Sequence, residues 1–372
     1  MSGTVRELRV HDGVVALVRP FVTAVRRADS IRVVLVEAVD DAGNSGWGEA
    51  AVSWRVTGES PESVRAAVQG PLGEVAIGRS LRTTSAVGSD LARATFQNAA
   101  ARSAVECAIH DLAAARNGMT LAAALGAGRT SVLTDVTVSA ASTRTLIEIA
   151  RQHVDDGFGM IKVKVGAGGD DREAMIALRE AVGPNIGLRV DANQAWDVDE
   201  AVGIIRYWEA AGVDLDLIEQ PVLARDLDGM ATVSASVATP VLADESVHTI
   251  DDVREIVRRR AAGLVNIKLA KTGGLAEARR MAELAAEHGI GVVIGCMMES
   301  SVGVAAAAAL AASLGGQDAT RIHDLDAGLW QSTSPVRGGI RYEGASVLIS
   351  SRPGLGIDGL AGAVTNVRGV AR

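Results

Sequence analysis

Ile186-Gly187-Leu188-Arg189-Val190-Asp191, continuing into Ala192-Asn193-Gln194-Ala195-Trp196, is a short apolar run that stops on a carboxylate. Other runs stop in the same manner. Residues 160–165 contain Lys162-Val163-Lys164. Residues 215–219 end at Glu219 in Ile218-Glu219-Gln220-Pro221, and 241–244 end at Asp244 in Leu242-Ala243-Asp244-Glu245-Ser246. Residues 264–269 carry Lys268 in Asn266-Ile267-Lys268-Leu269. From Lys164 through Asp191, Glu219 and Asp244 to Lys268 the steps are 27, 28, 25 and 24 residues. A strand, its crossover helix and the next parallel strand take roughly 30 residues, so each step is about one βα unit. The five groups therefore fall at equivalent places on successive strands.

Strand-like runs are also expected at 132–140, 291–296 and 320–324, with amphipathic helices between runs, as at 170–182 and 277–288. Eight such runs with helical connections match an α/β barrel of TIM type. Residues at the C-terminal ends of barrel strands point into one shared mouth. Residues 1–122 read differently. They hold a Val-rich strand at 31–38, a turn at 40–44, a helix start at Ser60-Pro61, and a helix over 97–117 stopped by Asn117-Gly118. An α+β capping domain is expected over 1–122 and the barrel over 123–330. Segment 331–372, rich in Gly-Gly and Pro-Gly turns, is expected to return to the capping domain.

Three carboxylates converging on one mouth repel one another and lose solvation. A hard divalent cation resolves this, and an all-oxygen donor set suits Mg²⁺, whereas zinc recruits His or Cys. Lys164 and Lys268, on the second and sixth strands, face each other across the barrel. Each can act as a base if nearby cations, Lys162 among them, lower its pKa. Mg²⁺ beside a substrate carboxylate stabilises the charge that appears when the adjacent carbon loses its proton. Two facing lysines then imply racemisation or epimerisation, or elimination where a leaving group is present. Lys271 is read as a surface cation, and Glu245 as support for the acids.

The formal charge of −8 argues against nucleic acid and anionic membranes as partners. Arg258-Arg259-Arg260 is read as a solvated helix end. Two distant cysteines, Cys107 and Cys296, fit a reducing compartment, and no signal-peptide core or membrane-length apolar run is seen. The expectation is a cytoplasmic enzyme acting on a small molecule, with room for a homo-oligomer.

On Lys162, Lys164, Asp191, Glu219, Asp244 and Lys268, the chain resembles the enolase superfamily, muconate-lactonizing-enzyme subgroup. The resemblance runs from near residue 1 to the end. It implies a modified (β/α)7β barrel under a cap built from both termini, with Lys164 and Lys268 catalytic and Asp191, Glu219 and Asp244 on Mg²⁺. Lysine bases paired with Mg²⁺ are a general pattern of this superfamily. Asp324-Leu325-Asp326 resembles the Asp-x-Asp of dipeptide epimerases, where it implies a salt bridge to the α-ammonium of a dipeptide. It is also compatible with a strand-end turn. Lys162, Thr137, Cys296 and Met298 are expected beside the substrate. Arg26 resembles an arginine that meets the acidic side chain in Ala-Glu epimerases, although a solvated loop arginine is the equal alternative. Trp330 is read as core. Trp54 and Arg55 depart from the pattern. Alternatives on the same site are N-acylamino-acid racemisation, o-succinylbenzoate synthesis, and dehydration or racemisation of a cyclic amino acid.

Overall fold

The computed structural model describes residues 3–23, 27–167, 170–362 and 364–371. Strands β1 (Val5–Val22), β2 (Arg27–Asp40) and β3 (Ser45–Glu49) open the chain. Strands β4 (Ser131–Leu133) and β5 (Val136–Val138) follow a helical stretch. Then come β6 (Met160–Lys164), β7 (Gly187–Asp191), β8 (Leu215–Glu219), β9 (Val241–Ala243), β10 (Leu264–Lys268) and β11 (Gly291–Gly295). The tail contributes β12 (Val336–Gly338), β13 (Arg341–Glu343), β14 (Ser346–Leu348), β15 (Ile357–Leu360) and β16 (Val364–Ala371).

The cap is an antiparallel sheet in the order β16-β1-β2-β3, so the end of the chain pairs with its beginning. The second half of β2, residues 33–39, is apolar but for Glu37 because both of its faces are covered. Val34, Val36 and Ala38 pack on the cap's own helices. Val33 and Leu35, on the opposite face, pack with Trp47 against Val302 and Val336. Gly46 and Gly48 let β3 lie directly on the helix Ala99–Arg116, since a Cβ at either would overlap Ala108 O or Ala104 O. Ser60 and Ser63 exchange side-chain and backbone hydrogen bonds at the start of the helix Pro61–Gln69, as the Ser60-Pro61 signal indicates.

The second body is a curled parallel sheet in the order β11-β10-β9-β8-β7-β6-β5, with helices outside it: the (β/α)7β barrel under an α+β cap. Two expectations need correction. The run at 132–140 splits, and β4 leaves the barrel to pair with β14. Residues 320–324 do not form an eighth strand. A 3-10 turn occupies Gly316–Thr320, and His323 and Asp324 make single bridges to Thr134 and Gly295. The physical reason lies in His323. Its Nδ1 accepts the Ile294 N–H at 3.1 Å, so a side chain replaces a ladder rung where the two sheet edges meet.

The alanine-rich helix Ser301–Ser313 is buried all round rather than along one stripe. Glu49, at the end of β3, accepts hydrogen bonds from Ser300 N (2.8 Å), Ser300 Oγ (2.5 Å) and Gly303 N (3.0 Å). A cap residue thereby closes the N-terminus of a barrel helix and fixes one body on the other. Among the described residues no helix is long and apolar enough to cross a membrane.

Candidate active site

Strand register brings the predicted groups together. Lys164 pairs with Asp191 across β6 and β7, and Asp191 with Glu219 across β7 and β8. Side chains alternate along a strand, so Lys162 shares a face with Lys164, Arg189 with Asp191, Leu217 with Glu219, and Asn266 with Lys268. That face is the barrel interior. Its lower layer includes Leu217, Leu242, Leu264 and Val293. The charged residues sit one layer above.

In that layer Lys162 Nζ stands 2.5 Å from Glu219 Oε2, 2.8 Å from Asp324 Oδ2 and 3.1 Å from Asp191 Oδ2. Lys164 Nζ donates to Asp191 Oδ2 at 2.5 Å, and Lys268 Nζ to Asp244 Oδ2 at 2.7 Å. Burial opposes charge on Lys162, but Asp324, Glu219 and Asp191 outweigh it and hold the ammonium well above its usual range. Lys268 moves the same way, because Asp244 and Glu219 overcome its burial. At Lys268, Lys162 does act to lower the pKa, but Asp244 and Glu219 outweigh it.

A cavity of about 120 Å³ opens above these groups, between barrel and cap. Lys164, Lys268, Asp244, Asp324, Asp326, Thr137, Cys296 and Met298 all line it. Asp191, Glu219 and Lys162 lie beneath, buried and in contact with the lining residues. Arg26 is outside the described residues. Asp326 Oδ2 accepts from Thr137 N at 2.7 Å and from Trp330 Nε1 at 3.0 Å. Trp330 is buried, as read from the sequence, and packs edge-on to Phe21. Its core role includes orienting one acid of the Asp-x-Asp pair.

The donor chemistry fits a hard divalent cation held by Asp191, Glu219 and Asp244. Burial, together with the charges of Asp191 and Asp244, pushes Glu219 up to about 7 against the opposing pull of Lys162 and Lys268, the mark of carboxylates crowded beyond what the lysines offset. Nearby, Asn193 Oδ1 and Glu245 Oε2 are buried oxygens without a hydrogen-bond partner among the described residues. The tightest grouping of candidate ligand atoms, within 4.8 Å of one another, is instead Cys296, Asp324 and Asp326. That set is the poorer metal site. Burial and the neighbouring acids drive the Cys296 thiol pKa well up, and a neutral thiol is a weak ligand. The strand-end acids are the looser group because each is drawn toward a lysine.

The surface role read for Lys271 is wrong. Lys271 is buried, and its Nζ donates to Asp244 Oδ1 and O, each at 2.5 Å, and to Asn266 O at 3.2 Å. Sequence reading also missed a layer of side chains that hold the acids. Asn266 Nδ2 donates to Glu219 Oε1 at 3.0 Å, and Asn193 Nδ2 to Glu245 Oε1 at 3.1 Å. Gln220 Oε1 accepts from Asp244 N at 3.0 Å, which ties the end of β8 to the end of β9. Asn193, Gln194 and Gln220 adopt positive φ at 44°, 68° and 38°. Strained backbone of this kind persists where surrounding bonds over-determine it. The available signal was a polar residue two positions before a strand end, as with Arg189 and Asn266, which period two sends inward.

Known proteins resemble the chain over nearly its whole length. Residues 5–126 match the mandelate racemase / muconate lactonizing enzyme N-terminal domain, and residues 145–360 match the enolase C-terminal domain-like family. The chain is 38% identical over 351 residues to the L-Ala-D/L-Glu epimerase of Bacillus subtilis, covering 93% of this chain and 94% of that one. A substrate-liganded structure of the Bacillus subtilis L-Ala-D/L-Glu epimerase superposes with a TM-score of 0.91 at 37% identity, covering 96% and 99% of the two chains. The dipeptide epimerase of Enterococcus faecalis, in complex with Mg and L-Leu-L-Tyr, gives 0.89 at 33% identity, covering 95% and 99%. With both domain models matched in order and the strand-end residues in place, this chain belongs to the mandelate racemase / muconate lactonizing enzyme family of the enolase superfamily.

Proposed function

We propose that the protein is a Mg²⁺-dependent dipeptide epimerase. The observation that carries this reading is that Lys164 and Lys268 open into the same cavity as Asp324 and Asp326. The acid pair suits the α-ammonium of a free dipeptide, whereas N-acylated or purely anionic substrates bring no cation to Asp326, whose Oδ2 accepts from the neutral donors Thr137 N and Trp330 Nε1. Asp191, Glu219 and Asp244 would hold the metal, which supplies electrostatic stabilisation of the extra charge on the substrate carboxylate.

With the ammonium held at one end, the α-carbon of the second residue lies between the two lysines. One lysine, in its neutral form, takes the α-proton, and the C–H electron pair moves into an enediolate. The other, as ammonium, delivers a proton to the opposite face and forms a new C–H bond. The configuration inverts, and the two lysines exchange protonation states. The apolar lining from Phe21, Val56, Met297 and Met298 keeps water from the reacting carbon. Two free, buried cysteines suit a reducing, cytoplasmic location.

Incubation of a library of L,L-dipeptides in D₂O tests this. Solvent deuterium should enter the second residue as L,D product accumulates. EDTA should stop the reaction and Mg²⁺ restore it. No exchange with any dipeptide, or full activity after metal removal, would overturn the proposal.

A further inference from the structure

We infer that Arg19, on the cap strand β1, positions Asp326 for the substrate's ammonium by fixing the ring of Trp330; this deepens the dipeptide reading above and rests on it. Arg19 is not among the residues lining the cavity, so it acts through a neighbour. Its Cζ lies 4.7 Å from the centre of the Trp330 ring. Phe21, two positions on and so on the same face of β1, meets that ring at 5.0 Å and 86°. Two side chains of one strand thus clamp the indole, whose Nε1 donates to Asp326 Oδ2 at 3.0 Å. Thr137 N donates to the same oxygen at 2.7 Å. The two bonds fix the plane of the carboxylate and leave Oδ1 for an ammonium. Asp324 is already tied to Lys162 at 2.8 Å, so Asp326 is the acid whose orientation the cap decides.

Arg19 is itself held. Its Nη2 donates to His153 Nε2 at 2.8 Å, on the barrel helix Thr143–Asp155. Burial and the guanidinium together push His153 down to about 4, so near pH 7 the ring is neutral and accepts this bond. The strand is fastened to the barrel on either side of Arg19. Ser332 N donates to Ala16 O at 2.9 Å, and Leu17 bridges to Gln331. Further along, Ala140 N donates to Val22 O at 3.1 Å and Val22 N to Ser139 Oγ at 3.0 Å. Burial lowers the Arg19 pKa and the charge of Asp326 opposes that, so guanidinium and acid sense each other across the indole. A cation over the ring draws π density toward itself and makes the ring N–H a stronger donor.

The experiment has two readouts. The first needs no substrate. Proton NMR follows the indole N–H of Trp330, assigned by its loss in Trp330→Phe. Arg19→Met keeps the length of the side chain and removes the cation. It should shift this resonance and speed its exchange with water, and Arg19→Lys should fall between Met and wild type. The second readout is kcat/KM for the dipeptide turned over fastest and for its N-acetylated form. Arg19→Met should lower the value for the free dipeptide about three- to thirty-fold, the range for one cation–π contact. The loss should fall mainly in KM, because the ammonium is bound before and during the reaction, and the N-acetylated form should change little. Adding Arg19→Met to Trp330→Phe should cost little beyond Trp330→Phe alone, since the two act in one chain. An unmoved indole resonance, equal losses on both substrates, or additive losses in the double variant would overturn the inference. A wild type that turns over no dipeptide, while the resonance still responds to Arg19→Met, would overturn the dipeptide reading and leave the positioning of Asp326 by Arg19 supported.

Discussion

Lys271 and Asp244 are joined twice inside the barrel, through the carboxylate Oδ1 and through the backbone carbonyl, both at 2.5 Å. Lys268 takes the other oxygen, Oδ2, at 2.7 Å. Asp244 is therefore gripped from two sides, and both its rotamer and its backbone are fixed before any cation arrives. Burial works against charge on Lys271 and lowers its pKa.

Lys271→Met keeps the length of the side chain and removes the grip. Groups that orient a metal ligand are typically worth 10- to 100-fold in metal affinity. The Mg²⁺ concentration giving half-maximal activity should rise by about that factor in the variant. An activation curve that superposes on wild type would show that Lys271 only fills space.

This pair also marks where sequence reading stops. Lys164, Asp191, Glu219, Asp244 and Lys268 were legible because each ends a run at one-unit spacing, and strand periodicity places such residues in the mouth without knowledge of any contact. Lys271 sits three residues past β10, in the turn of helix Leu269–Thr272, where spacing carries no information about direction. Only tertiary packing turns it inward. The missing eighth strand is similar. Thr320–Asp324 has strand-like residues, but the His323 ring takes over one ladder position, which no pattern of apolar residues encodes. Arg26 lies outside the described residues, so its role is carried by likeness alone.

The two lysines yield a stereochemical test. If Lys164 and Lys268 serve opposite faces, each single Ala variant keeps one face. Lys164→Ala should exchange the α-proton of one epimer with D₂O, and Lys268→Ala that of the other, while net epimerisation falls by several orders of magnitude in both. Proton NMR of each dipeptide epimer in D₂O reads this directly. Loss of both exchanges in either variant would indicate a single base.

Asp324 and Asp326 differ in environment, and this separates their variants. Asp324 is buried, yet Lys162 and the other lysines hold it down to about 2. Asp326 is shifted upward by burial and by Asp324. Asp324→Asn removes one acid from contact with Lys162 and should perturb the charge layer as well as substrate binding. Asp326→Asn leaves that layer intact. It should lower kcat/KM for free dipeptides far more than for N-acetylated ones, since only the former bring an ammonium. Equal losses on both substrate types would remove the ammonium assignment.

The seam between cap and barrel carries a pH dependence that does not involve the reaction. Glu106, on the helix Ala99–Arg116, accepts from Ala276 N at 3.0 Å through Oε1, while Oε2 is buried without a partner. Burial raises its pKa from 4.5 to about 7, with the Ala276 N–H and Arg102 opposing. His110, 3.7 Å away, is pushed down to about 4 by burial and is neutral near pH 7, so it offers no countercharge. An acid whose folded pKa is raised contributes stability that is fully present below its unfolded value and is lost as pH rises through the folded one. At 1.36 kcal/mol per unit, the wild type should lose about 3 kcal/mol from this group between pH 4.5 and values above 7. Glu106→Gln keeps the acceptor for Ala276 N and removes the titration. Its stability relative to wild type should climb from pH 5 to pH 7 and level off by pH 8, read from urea-unfolding midpoints. A difference that stays constant across this range would mean that Glu106 is ionised throughout, with Arg102 supplying the compensating charge.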